Sequence, residues 1–227
     1  MNTIGAAIIC GEREEFLGLT LESIAFVDEI VIVGNPDAFT RNIINNSIVK
    51  NKVRLIWREW DGKYGSARKK ALDNLDTTYI LQVDADEVMG DDGWRLRDYA
   101  EKVDVLDLQY RHFIWNFGLL DATLPTHMGI NRFFKNSSVT YNREVHEFAE
   151  SKDWKTKAFA PEIVLWHLGY VKGIGKVLEK FWMNMMRPDK IHDANFLKQW
   201  AYWHTSGTYP VRQITKEEVE EMPQILK

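Results

Sequence analysis

Asp84, Asp86 and Glu87 fall within four positions in the stretch VDADEV, at the end of an apolar run over 79–83. In an extended segment, side chains two apart point the same way, so Asp84 and Asp86 are expected on one side and the small Ala85 on the other. Two carboxylates aimed at one point in a partly dry crevice repel, and one takes up a proton unless a cation supplies the missing charge. The chemistry this pattern invites is a hard divalent cation, Mn2+ or Mg2+, held through oxygen. The same run also suits the acidic first turn of a helix after Gly90, which the helix dipole favours.

A second constellation lies just before it, in REWDGKYGSARKKAL at 58–72. Gly62 and Gly65 permit a tight loop, Ser66 can cap a helix over 66–75, and Arg68, Lys69 and Lys70 then fall in its first turn. Cations sit badly at that end of a helix unless an anion is bound there. A solvated basic face accounts for the same charges without a ligand. Together the acidic run and the basic helix start point to a metal-bound diphosphate.

Strands and helices must alternate to put both groups at one edge, and the pattern does so. Ile4–Cys10, 29–33, Val53–Trp57 and 78–83 read as strands, with helical spacing over 14–26, 37–49 and 66–75 between them. That rhythm predicts an α/β fold with a mainly parallel, Rossmann-like sheet covered by helices, and ligands beyond the carboxyl ends of its strands. After residue 104 the segments VDVLDLQYRHFIWN, INRFF, VTYNREVHEF and EIVLWHLGYV suggest antiparallel or mixed pairing. Helical spacing returns from 174, breaks at Pro188 and resumes over 195–205, and the final TKEEVEEMPQILK reads as a loosely held tail.

Composition narrows the class. The 227 residues are 45% hydrophobic and 27% charged, as expected of a folded globular chain. A formal net charge of −4 argues against nucleic acid as the partner. One cysteine, Cys10, excludes a disulfide framework. No basic leader or run approaching about 18 apolar residues is present, so a cytoplasmic address with at most peripheral membrane contact is expected. The FWMNMM stretch at 181–186, apolar on nearly every side of a helix, would pack inside, meet a partner or touch such a membrane, and packing is the plainest of the three.

The stretches IICGEREEFLGLTLESI, VDEIVIV, REWDGKYGSARKKAL and YILQVDADEV resemble, in order, family 2 glycosyltransferases of the GT-A fold, closest to small lipopolysaccharide-core hexosyltransferases. REVHE at 143–147 is a weaker echo. The resemblance implies one GT-A domain over 1–227, with a nucleotide-sugar and metal half at 1–103 and an acceptor half at 104–227. It implies a UDP-sugar donor and a saccharide, glycan or glycolipid acceptor, with inversion. Asp84 would meet the ribose or the metal, Asp86 would ligate Mn2+ or Mg2+, and Arg68, with Lys69 beside it, would meet the nucleotide or its phosphates. His167 would be a third metal ligand, although a satisfied core histidine fits it as well. Glu147, then Glu144, would be the base that deprotonates the acceptor; surface pairing with Arg143 or Arg132 is the plainer account of both.

Two departures bear on the base of the nucleotide. The family's Asp after the second strand is Gly34 here, which leaves Asp37 or Asn35 to substitute, and its Asn-Glu after the first strand is Glu12-Arg13, which offers Arg13 as a phosphate or base contact. A sugar nucleotidyltransferase, a retaining transferase and a non-catalytic carbohydrate-binding domain are the competing classes.

Overall fold

A computed structural model describes residues 2–125, 129–142, 147–171, 175 and 194–227, with side chains in the last span from 198 onward. Four parallel strands, β1 (Ile4–Cys10), β2 (Glu29–Gly34), β3 (Val53–Trp57) and β4 (Tyr79–Asp84), lie in the order β3–β2–β1–β4. Strands buried on both faces should be near-continuously apolar rather than alternating, and β1, β2 and β4 are, apart from Gln82 and the end residues Glu29 and Asp84. Ile4, Ile8, Ile30 and Ile32 pack on one face with Leu17 and Leu21 of α1 (Leu17–Ser23) and Ile44 of α2 (Ala38–Asn46). Ala7, Val31 and Val33 pack on the other with Ala71 and Leu72 of α3 (Tyr64–Leu72). The expected alternating half is therefore present. β3 forms the sheet edge and leaves Leu55 and Trp57 exposed.

Chain termini of these helices differ from the sequence-based expectation in one place that matters. α3 begins at Tyr64 with Lys63 as its cap, two residues before the expected start, so Ser66 is inside the helix. Arg68 is then past the first turn and on the buried face, 5% exposed. Lys69 lies on the outer side against Asp73, four residues on.

The chain next forms β5 (Glu87–Met89), the short helix α4 (Leu96–Tyr99), β6 (Val105–Ile114), β7 (Asn116–Asp121) and β8 (Gly129–Lys135). β8 runs antiparallel to β4 and β6 and joins the parallel half to the rest of the sheet. The long β11 (Lys157–Tyr170) pairs in parallel with β6 and antiparallel with β5, so that Glu87, His167 and His112 sit side by side across three strands. A two-stranded ribbon, β9 (Thr140–Tyr141) with β10 (Ala149–Glu150), stands apart. The mixed pairing expected after residue 104 is present.

The C-terminal end is ordered by identifiable contacts, contrary to a loosely held tail. α5 (Ala194–Ser206) leads to β12 (Val211–Gln213), which extends the sheet beside β7. α6 (Lys216–Glu221) starts with a complete capping box between Thr215 and Glu218. Glu218 also takes a two-pronged contact from Arg212 at 2.6 and 2.7 Å, and Met222 is buried against Trp166 and Phe113. Short apolar and charged residues here read as solvent-facing only until the partners are known. Among the described residues no helix is long and apolar enough to cross a membrane. The 181–186 stretch lies outside them, as do Glu144 and His146.

Candidate active site

β4 ends at Asp84 and the chain turns through Ala85 and Asp86 before β5 begins at Glu87. Thr20 of α1 pins this turn by donating its hydroxyl to the Ala85 carbonyl at 3.0 Å, and the Leu168 N–H donates to the Asp86 carbonyl at 2.8 Å. Because the backbone turns, Asp84 and Asp86 do not share a side as an extended segment would require. They meet different partners.

Asp84 faces two arginines. Its Oδ1 lies 2.6 Å from Nη2 of Arg68 and its Oδ2 lies 3.0 Å from Nη2 of Arg132, on β8. Glu87 completes the arrangement: it is fully buried, takes Arg132 at 2.6 Å and accepts the Asp84 backbone N–H at 2.9 Å. Tyr110 of β6 donates its hydroxyl to Glu87 at 3.2 Å. On the far side of Arg68, Nε contacts Oε1 of Glu147, whose side chain is 7% exposed.

The electrostatics follow from this packing. Burial acts to raise the Asp84 pKa, but Arg68 and then Arg132 outweigh it and hold the carboxyl far below the usual range. Burial pushes Glu87 up to about 7, opposed by Arg132 and aided by Asp84. Arg68 is desolvated yet kept charged by Asp84 and Glu147. Its Nη1 is buried and has no hydrogen-bond partner among the described residues, an uncommon state for a guanidinium, whose five N–H donors normally find acceptors.

Asp86 points the other way, toward β11. Its Oδ1 is 3.5 Å from Nε2 of His167, and the His167 Nδ1 is 3.0 Å from Nε2 of His112. Gly169 makes this approach possible: a β-carbon there would lie 2.6 Å from the His167 ring and 2.8 Å from Oδ2 of Asp86. His112 in turn stacks on Tyr170, with ring centroids 4.7 Å apart.

These positions test the fit of a divalent cation. Among the described residues no group of three or more His, Cys, Asp or Glu side chains converges as a cage. Both oxygens of Asp84 face arginines, so the protein pair whose spacing can be set against an ion is Asp86 and His167. Two donors each about 2.1 Å from one ion, at angles of about 90–115°, are about 3.0–3.5 Å apart; the observed 3.5 Å fits that range. A metal-bound imidazole also usually engages its other nitrogen, as His167 does with His112. The remaining coordination positions would belong to ligand oxygens and water, as is usual where a cation is shared with phosphates.

Other expected contacts are placed as follows. Asp37 caps α2 by accepting the Thr40 N–H at 2.8 Å, and that bond first, with Arg13 contributing less, keeps its carboxyl below the ordinary range. Arg13 adopts a left-handed backbone with φ of 51° in the loop after β1. At Gly34 a β-carbon would lie 1.8 Å from the Cys10 carbonyl oxygen, so no side chain fits where the related pattern has Asp. Glu87, Arg132, Tyr110 and His112 also belong to the cluster, although the sequence assigns none of them a role in the site. For Glu87 the signal was present, as the third acid of VDADEV; for Arg132 and His112 it lies only in strand pairing.

No family model matches the sequence, and no curated protein matches it. Among solved structures, S. aureus TarS 1-349 superposes with a TM-score of 0.50 at 13% identity, over 89% of this chain and 70% of that one. A longer S. aureus TarS structure gives 0.51 at 13% identity, again over 89% of this chain but 43% of that one. At that identity the likeness establishes the fold, and the fold is GT-A. This chain thus spans less than half of the longer TarS.

Proposed function

We propose that the chain is a metal-assisted glycosyltransferase, moving a sugar from a nucleoside diphosphate donor to a saccharide, glycan or glycolipid acceptor. The observation that carries it is that the Arg68–Asp84 pair and the Asp86–His167 pair both lie at the carboxyl edge of β1 and β4, where open α/β sheets bind ligands. Fold by itself does not fix function. TarS 1-349 has been crystallised with UDP and with UDP-GlcNAc, which favours a UDP-sugar as the donor class to try first.

In this proposal the 1–103 segment supplies the donor edge, and the 104–227 segment adds Arg132, Glu147 and His167 to it. Departure of a nucleoside diphosphate builds negative charge on the leaving group, and catalysis consists in stabilising that charge. A divalent cation held by Asp86 and His167 would offset it as a Lewis acid. Arg68 adds a desolvated positive charge held at a fixed position by Asp84 and Glu147, which acts on a neighbouring anion through its field. Arg132 holds Asp84 from the opposite side, so that the carboxylate stays ionised and Arg68 cannot swing away. Inversion and a hexose, as in lipopolysaccharide-core enzymes, are the subclass the sequence resemblance favours. The test is turnover with a panel of UDP-, GDP- and dTDP-sugars: release of nucleoside diphosphate supports transfer, and release of pyrophosphate points instead to nucleotidyl transfer.

Glu147 enters this proposal as the partner that positions Arg68, not as the base. A base must reach the acceptor hydroxyl, and here Oε1 is engaged by the guanidinium and the side chain is buried. Glutamine keeps an acceptor oxygen for Arg68, so Glu147→Gln is expected to lower kcat by about tenfold or less. A fall beyond about a hundredfold, the scale of a lost general base, would return that role to Glu147.

A further inference from the structure

The chain's charge is unevenly distributed. Overall it carries 33 acidic against 29 basic residues, yet residues 38–72 hold nine Lys and Arg and two acids, Glu59 and Asp61. Several of these cations are used internally: Arg68 in the site, Arg54 with Glu29, Arg58 with Asp61 and Lys69 with Asp73. Arg41 and Lys50 are exposed, at opposite ends of the α2 side of the molecule.

The same side carries apolar surface where a soluble edge strand normally shows polar groups. Trp57 is 59% exposed and Leu55 39%, both on the face of β3 that looks toward α2, and Ile48, just after α2, is 74% exposed. The Arg41 guanidinium lies 5.6 Å from the centroid of the Trp57 ring, which ties the helix to the strand end. Large apolar rings and side chains interleaved with cations are the composition of a surface that settles into the interface of an anionic bilayer, rings at headgroup depth and charges on the phosphates.

We propose that the α2–β3 side of this protein, with Trp57, Leu55 and Ile48 as apolar contacts and Arg41 and Lys50 as cations, docks on an anionic lipid surface. The sheet register fixes how that orients the molecule. Trp57 pairs with Gly34, Gly34 with Cys10, and Ile9 with Asp84, so three strand spacings, about 14 Å at about 4.8 Å each, separate the docking edge from the acidic turn along one carboxyl edge. A molecule docked in this way holds its site beside the membrane, within reach of a lipid-linked molecule. Docking does not require the transferase activity, so the two stand or fall separately.

Flotation of the full chain with vesicles tests it. The protein is expected to float with phosphatidylcholine vesicles containing phosphatidylglycerol, to stay behind with phosphatidylcholine alone, and to be released by high salt. Trp57→Ser with Ile48→Ser, and separately Arg41→Glu with Lys50→Glu, should each weaken binding by about tenfold or more while circular dichroism and the melting temperature stay near those of the parent. Equal binding to both vesicle types, no binding to either, or binding that neither double variant weakens would overturn the proposal. So would a doubled mass in light scattering that the Trp57→Ser, Ile48→Ser variant returns to a monomer without any vesicle binding, since a second copy would then own this edge.

Discussion

Asp86→Ala is expected to lower sugar transfer by about a thousandfold while leaving the melting temperature close to that of the parent. The two halves of that expectation come from different atoms. The backbone of Asp86 is held by the Leu168 N–H, and Thr20 holds the preceding carbonyl, so the turn keeps its path when the side chain is removed. The carboxylate is 20% exposed and its 3.5 Å approach to His167 is long for a hydrogen bond, so that contact adds little to stability. As a cation ligand, by contrast, it would act where charge builds in the transition state, and loss of a single group of that kind costs on the order of a hundred- to a thousandfold. Turnover retained within about tenfold of the parent would remove Asp86 from the cation site.

Asp84→Ala is expected to fail for another reason: it should cost stability as well as activity. Its carboxylate sits between Arg68 and Arg132, and without it two buried guanidinium groups face each other. Breaking a buried ion pair from one side costs about 3–5 kcal/mol; with the Asp84 side chain 26% exposed, about 3 kcal/mol is the appropriate end. For a chain of this length that is a fall in Tm of roughly 6–12 °C. The sign with pH follows from the depressed pKa. The folded state holds Asp84 ionised below its unfolded pKa of about 3.9, so this contribution is complete above that value and is lost on acidification. Parent and variant melting curves should therefore converge in strong acid. A variant that melts with the parent at neutral pH yet loses transfer would make Asp84 a ligand to donor or ion alone, as the sequence by itself implies.

Much of the donor half was legible because its strands are buried on both faces, and near-continuous apolar runs such as EIVIV and YILQV have little other use. The acidic turn could be placed at a carboxyl edge for the same reason. Its geometry could not. Side-chain alternation holds only while the strand continues, and β4 stops at Asp84, which sends Asp86 toward His167 instead of beside its neighbour. The cap of α3 was misplaced because Ser66 looks like a cap, whereas Lys63 fills the position without a side-chain hydrogen bond. That two-residue difference moves Arg68 from a helix start into the buried cluster. Arg132 and His112 could not be chosen from sequence, since β8 and β6 bring them in from 48 and 55 positions away from Asp84 and His167 respectively. The tail failed in the opposite direction: TKEEVEE reads as solvated charge until Arg212 and the capping box give Glu218 its partners.

Calorimetric titration of UDP into the full chain, with and without Mn2+, tests the cation-bridged donor site most directly. UDP is predicted to bind the parent at least about tenfold more tightly with Mn2+ present, and both Asp86→Ala and His167→Ala should lose that gain while keeping the weaker, metal-independent affinity carried by Arg68. Equal UDP affinity with and without Mn2+ in the parent, or a gain that survives both substitutions, would contradict it.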